Sequence, residues 1–425
     1  MTTLLYILLA IVVLLVLITV HEFGHYCAGK IFGFKINEFS IGFGPAIYKK
    51  TRKDGEVFSV RWLPLGGFCA FEGEDEDGKE NPEAFNNKPA WKRLIVLLSG
   101  VTFNFLFGVL TAAIYLMVTG YSVPKINGYV NANSSFRQND IVVAVDGKTI
   151  EAYRSFSDLV ADYKEGEEFV ITVERDGKII DITTSKEKYS SFYFVYDTSY
   201  FEDKLFNENG TEMNMDVFLN GIMQYPTTSE TGDAVGKGGA VKEYFAANVY
   251  KADGSQYSEA EIDAMLEDDL FVYVGSGISM GISFGYIGAS YGFFECFAKA
   301  WPFCFWMCGL ILSALGGLFT GATPIKEMGG TVTAISQIAE YSSQSMYYLL
   351  LFFPMLSMNL ALFNILPVPS LDGARAVFVL IEMIFRKPVN RKVEGYIHTI
   401  GLFLLLGMVI FFDIYHFAVA ARLLI

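Results

Sequence analysis

Charge is scarce in this 425-residue chain: Asp, Glu, Lys and Arg make up 18%, against 52% hydrophobic and 16% aromatic residues. A soluble domain carries about 25% charged residues, so this balance excludes an ordinary globule and indicates an integral membrane protein. Bases are the minority, 32 against 46 acids, for a formal charge of -14. The acids concentrate in residues 187–270 and the bases flank apolar runs, which speaks against nucleic acid as a partner. Cysteine is sparse. Cys27, Cys69, Cys296, Cys304 and Cys308 lie mostly in or beside apolar stretches, form no CxxC, and are absent from the polar middle. Neither a disulfide framework nor a cysteine zinc site is indicated. The first apolar run lacks a basic leader and a small-residue cleavage site, so it is expected to be a retained span and not a signal peptide. Histidine is rarer still, with four in the chain.

Two of those four sit in His21-Glu22-Phe23-Gly24-His25. At about 3.6 residues per helical turn, positions i and i+4 share a face, so both imidazoles can address one metal. This is the zinc geometry of HExxH, with Glu22 placed as general base towards a water activated by the ion, and the chemistry implied is hydrolysis. The alternative is a solvated helix end carrying the motif by chance. The apolar run Leu4 to Val20 precedes the motif. An ionisable group near a bilayer centre costs about 2.5–3.5 kcal/mol on insertion scales, so a cluster there calls for a partner.

The expected fold is a polytopic α-helical membrane protein of about four transmembrane helices, with a membrane-associated β-hairpin and an inserted β-rich domain. Residues 1–120 supply the first span, a hairpin from Phe39–Tyr48 and Glu56–Phe68, the acidic loop Glu72–Glu80, and a second span from about Arg93 to Gly120. Seventeen residues of helix before His21 reach roughly 26 Å, which puts the site near one membrane face. The bases between Lys30 and Arg93 mark that face as cytoplasmic, leaving the chain start outside. Asn104, inside the second span, is either helix-to-helix glue or support for the site.

Residues 121–187 then read as a small extracytoplasmic β domain suited to strand addition, and 188–280 as an irregular acidic insertion completing or following it. Residues 281–345 read as a membrane-associated amphipathic region, in which 292–319 lies in the outer leaflet or packs on the core without crossing. Residues 346–425 hold the third and fourth spans, about Met346–Leu366 and Ile397–Phe412. Between them Pro367-Val368-Pro369 breaks the helix ahead of Asp372, which arrives at the face of His21 and His25 as a candidate third ligand or a plain helix cap.

The motifs HEFGH, FSIGFGPAIY, RWLPLGGF, FNNKPAWKRLIVLLSGVTFNF and NILPVPSLDG, in this order, resemble the bacterial site-2 protease family. The similar branch is the regulator-of-sigma-E protease type, which carries a PDZ domain in the position of residues 121–187. The resemblance implies zinc held by His21, His25 and Asp372, Glu22 as the base, Asn364 binding substrate or the oxyanion, and Pro367 and Pro369 shaping the site. It further implies an intramembrane endopeptidase in the bacterial inner membrane, with its active site towards the cytoplasm. Its substrates would be single-pass membrane proteins such as anti-sigma factors, or signal-peptide remnants. The chain departs from the family pattern at Gly100-Val101, at Asp372-Gly373-Ala374 and in the loop Asn131–Asn139. Two rivals are a membrane gluzincin using Glu382 or Glu394 as third ligand, and a scaffold whose metal site is vestigial.

Overall fold

The computed structural model describes residues 2–74, 83–129, 135–189, 193–195, 199–201, 204–215, 217–218, 239–267, 271–273, 277–280, 282–321 and 329–422. The chain forms two compact units, one from residues 1–119 and 291–425, the other from 120–290.

The first unit is helical because its long apolar runs can satisfy backbone groups internally only as helices. Its helices are Thr2–Ile31, Ala90–Thr119, Phe293–Thr320, Thr331–Gln344, Met346–Ile365, Asp372–Phe385 and Arg391–Arg422. Among the described residues five are long and apolar enough to cross a membrane: Leu4–Ile31, Ala90–Thr119, Phe293–Leu318, Met346–Ile365 and Arg391–Tyr415. The sequence argued for four, and the additional one is the stretch read as non-crossing. It packs on the second helix, with Trp301 and Phe305 against Phe105 and Phe303 stacked on Tyr115.

The second helix (Ala90–Thr119) is the hub, packing against the opening helix, Met346–Ile365 and Asp372–Phe385. Small residues permit the close approach. A Cβ on Gly24 would lie 2.5 Å from the Ser99 carbonyl oxygen, and one on Gly108 would overlap the Met358 side chain. Ser357 Oγ donates to the Asn104 carbonyl at 2.7 Å, so this polar pair is closed within the bundle.

The hairpin read from sequence is present as Ile36–Thr51 and Val57–Phe71. Its register is more folded than a simple hairpin. Glu38–Ile41 lies between Val57–Val60 on one side and Gly67–Ala70 on the other, and Tyr48–Thr51 pairs with the far side of Val57–Val60. Gly42 and Gly44, with φ of 88° and 83°, supply the bend in the first strand. Gly67–Ala70 is thereby left as an edge run. The acidic loop Glu72–Glu80 falls largely on residues outside the described set.

In the second unit the strands run Ile282–Ala289, Tyr121–Tyr129, Ile141–Val145, Glu168–Arg175 and Lys178–Ser185 across one antiparallel sheet, with Lys148–Thr149 paired to the middle strand. The short helix Phe156–Val160, capped by Ser155, packs Phe156 and Val160 into the same core as Ile126, Val142, Phe169 and Ile171. Ile282–Ala289 pairs with Tyr121–Tyr129, so residues placed at the start of the amphipathic region complete this sheet instead. The acidic insertion is also more ordered than expected. Phe201, Leu205, Phe218, Val241, Phe245 and Ile262 form a second apolar core in this unit, over the helices Gly239–Asn248 and Glu259–Glu267. The family's peptide-binding loop corresponds partly to residues 130–134, which lie outside the described set.

Candidate metal centre

The opening helix carries His21 and His25 one turn apart, both buried at 8% and 7% exposure. Met346–Ile365 ends where Pro367 and Pro369 cannot continue its ladder, and Leu371 caps a new helix whose first residue is Asp372. Three hundred and fifty-one residues after His21, the Asp372 carboxylate meets both imidazoles.

The three donor atoms form a nearly even triangle. His21 Nε2 lies 2.8 Å from Asp372 Oδ2, His25 Nε2 lies 3.2 Å from the same oxygen, and the two Nε2 atoms are 3.2 Å apart. Ligands about 2.0 Å from a tetrahedral zinc stand about 3.3 Å from one another, so the triangle has the size of a zinc ligand face. Among the described residues this is the group of three His, Cys, Asp or Glu side chains that could hold a metal. Burial opposes charge on Asp372, yet the imidazoles beside it, led by His25, hold its carboxyl well below the usual carboxylate range.

The imidazoles are oriented from behind. His25 Nδ1 donates to the Val96 carbonyl at 2.8 Å, which leaves Nε2 as the lone-pair nitrogen facing the triangle. His21 Nδ1 lies 3.4 Å from the Asn104 amide, whose Oδ1 is otherwise buried without a partner among the described residues. Turning the amide over gives Oδ1 to the Nδ1 proton and fixes the same tautomer on His21. Gly100 provides the room, since a Cβ there would come within 2.5 Å of His25 Nε2 and 2.7 Å of His21 Cε1. We expect Asn104→Ala to weaken zinc binding about 10–100-fold in a chelator competition, the range for groups behind a ligand. The helix contact should survive, because Ser357 bonds the Asn104 backbone. Unchanged affinity would contradict this role.

Two cavities open beside the triangle. One of about 230 Å³ is lined by His21, Glu22, Leu360, Asn364 and Asp372. The other, about 350 Å³, is lined by Glu22, His25, Asp372 and the edge run Phe68–Phe71. Glu22 borders both, and its carboxylate accepts from the Cys69 backbone N–H. Burial, then the neighbouring Glu22, push the Cys69 thiol well up from its ordinary value, so it is a neutral wall and not a nucleophile.

A family model, Peptidase family M50, matches residues 9–408. The chain belongs to peptidase family M50. The matched span contains every residue of the triangle. This M50 chain is 25% identical over 440 residues to the regulator of sigma E protease of Haemophilus influenzae, covering 94% of this chain and 96% of the relative. It is 26% identical to the regulator of sigma-E protease of Escherichia coli, covering 95% and 97%. A relative in Fusobacterium nucleatum, provisionally named a zinc metalloprotease, is 26% identical with 96% and 97% covered.

In this M50 chain Pro369 packs on Gly401 of the last helix, where a Cβ would collide with it. Ser370 sits at φ 81° and donates its N–H to His398 Nδ1 at 2.9 Å. The structure therefore adds Gly100 and His398 to the residues that shape the site, and puts Asn104, read from sequence as helix glue or site support, behind His21. Gly100 and His398 carry no spacing signal, whereas a lone Asn inside an apolar span was visible in the sequence.

Proposed function

We propose that this M50 chain is a zinc-dependent intramembrane endopeptidase. The observation that carries the reading is the compact triangle of His21, His25 and Asp372 with Glu22 beside it, in a chain of membrane-length apolar helices. His21, His25 and Asp372 would hold the zinc, and zinc bound there would polarise the scissile carbonyl and ease ionisation of a water. Glu22, open to both cavities, takes the proton from the attacking water and returns it to the leaving amine. Asn364 is placed to bond the substrate backbone across the smaller cavity, and Pro367 and Pro369 form the rigid turn that presents Asp372.

A membrane helix hides its peptide bonds in its own ladder, so cleavage requires a stretch of extended chain. The edge run Gly67–Phe71 offers backbone pairing for that stretch. The substrates are single-pass membrane proteins of the anti-sigma type or signal-peptide remnants, and the chain resides in a bacterial inner membrane with the site towards the cytoplasm. The sheet of residues 121–185 and 282–289 serves as the extracytoplasmic PDZ-like domain.

The gluzincin alternative finds little support. Glu382 pairs with Arg93 and Arg391, and Glu394 with Arg391, so both candidate glutamates are engaged elsewhere. The test is metal removal from the purified chain. One zinc per chain is expected, with cleavage of a single-helix reporter lost on treatment with phenanthroline and restored by zinc. Cleavage by metal-free protein would refute the reading.

A further inference from the structure

Successive residues of a strand turn their N–H and C=O groups to opposite sides. The Glu72 N–H donates to the Lys35 carbonyl at 3.0 Å, which turns residues 68, 70 and 72 towards the first hairpin strand and residues 67, 69 and 71 away from it. Two of these three outward amides are already taken by carboxylates. The Cys69 N–H is held by Glu22, and the Phe71 N–H donates to Glu74 at 3.4 Å. Both carboxylates line the cavity that contains His25 and Asp372, so they stand where an added strand would put its carbonyls.

The two carboxylates differ in what fixes them. Glu74 pairs with Arg375, which lies one turn after Asp372 on the same helix. Its backbone is anchored as well: Asn86 Nδ2 donates to the Gly73 carbonyl at 3.1 Å and to the Glu74 carbonyl at 2.9 Å, and a Cβ on Gly73 would collide with Ala84. Glu22, in the peptidase reading on which this inference rests, turns to the attacking water and gives up Cys69 when it does. We propose that Glu74, pinned by Arg375, is a register stop for the substrate. It closes the edge at Phe71, so an extended chain pairs at residues 67 and 69 and presents one peptide bond to the metal. Glu74 and Arg375 are positioning residues, because they link the strand edge to the helix that begins with Asp372. A strand repeats every two residues, so opening the Phe71 position lets the chain advance by two and keep the same face towards the site.

The test uses the full-length, zinc-loaded chain and a single-helix reporter, with every product end located by mass spectrometry. Wild type should cut one bond. Glu74→Ala, which uncovers the Phe71 N–H, should add a second cut two residues from the first, at about a tenth or more of its rate, because registers that differ by one neutral hydrogen bond lie within about tenfold of each other. Arg375→Ala should do the same by releasing Glu74. That side chain is 35% exposed and alanine favours a helix, so fold and zinc content should stay unchanged. Glu74→Gln keeps an oxygen for the Phe71 N–H and for Arg375, and should keep the single cut. A pair that merely braced the hairpin would lower activity in the alanine variants without moving the cut. Several cuts in wild type, a single unmoved cut in both alanine variants, or a second cut in Glu74→Gln would overturn the stop. Wild type that cleaves nothing would refute the peptidase reading itself, and the stop with it.

Discussion

Glu22→Gln is expected to keep one zinc per chain and to lower kcat by about 10²–10⁴-fold, the typical contribution of a positioned general base. The substitution preserves shape, and the amide oxygen can still accept from the Cys69 N–H, so the wall between the two cavities stays in place. What is lost is the ability to carry a proton from water to leaving amine. Single-turnover cleavage of the reporter, measured beside metal content, checks this. Comparable rates in both proteins would remove Glu22 from the chemistry.

Asp372→Ala is expected to act on the metal first. Two imidazoles remain, but the triangle loses the oxygen that lies 2.8 and 3.2 Å from them. Loss of a direct ligand should exceed the about 10–100-fold cost of losing a group behind one, so zinc should dialyse away and cleavage with it. The fold should tolerate the change, since residue 372 is the first of its helix and alanine suits that position. Circular dichroism and metal analysis separate the two effects. Zinc retained at one per chain would favour a different third ligand.

The site was legible in the sequence to the extent that metal chemistry is local. HEFGH announces itself through i, i+4 spacing, and Asp372 through the proline-broken helix end that precedes it. The pieces that make room for the ligands were not legible. Gly100 matters because it faces two rings from another helix, and nothing in its own neighbourhood in sequence says so. His398 acts on a turn twenty-eight residues upstream. The hairpin was readable from its β-prone runs, but the folding of the first strand back on itself depends on bends at Gly42 and Gly44.

The second compact unit, residues 120–290, shows the same division. The strands Ile141–Val145 and Glu168–Arg175 follow the alternation that marks a half-buried sheet. Ile282–Ala289 was missed because its partner, Tyr121–Tyr129, precedes it by about 150 residues, and so long-range a pairing leaves no local trace. The core of Phe201, Leu205, Phe218, Phe245 and Ile262 was hidden for another reason. Its apolar residues are scattered singly through an acidic stretch, without the period of one helix or strand.

The most direct test of the central claim is zinc K-edge X-ray absorption on the purified chain. Two imidazole nitrogens at about 2.0–2.1 Å and a carboxylate oxygen at about 2.0–2.2 Å are expected, with the oxygen shell altered in Asp372→Ala and an imidazole lost in His21→Ala. A sulfur shell at about 2.3 Å, or a spectrum that neither substitution changes, would contradict the account.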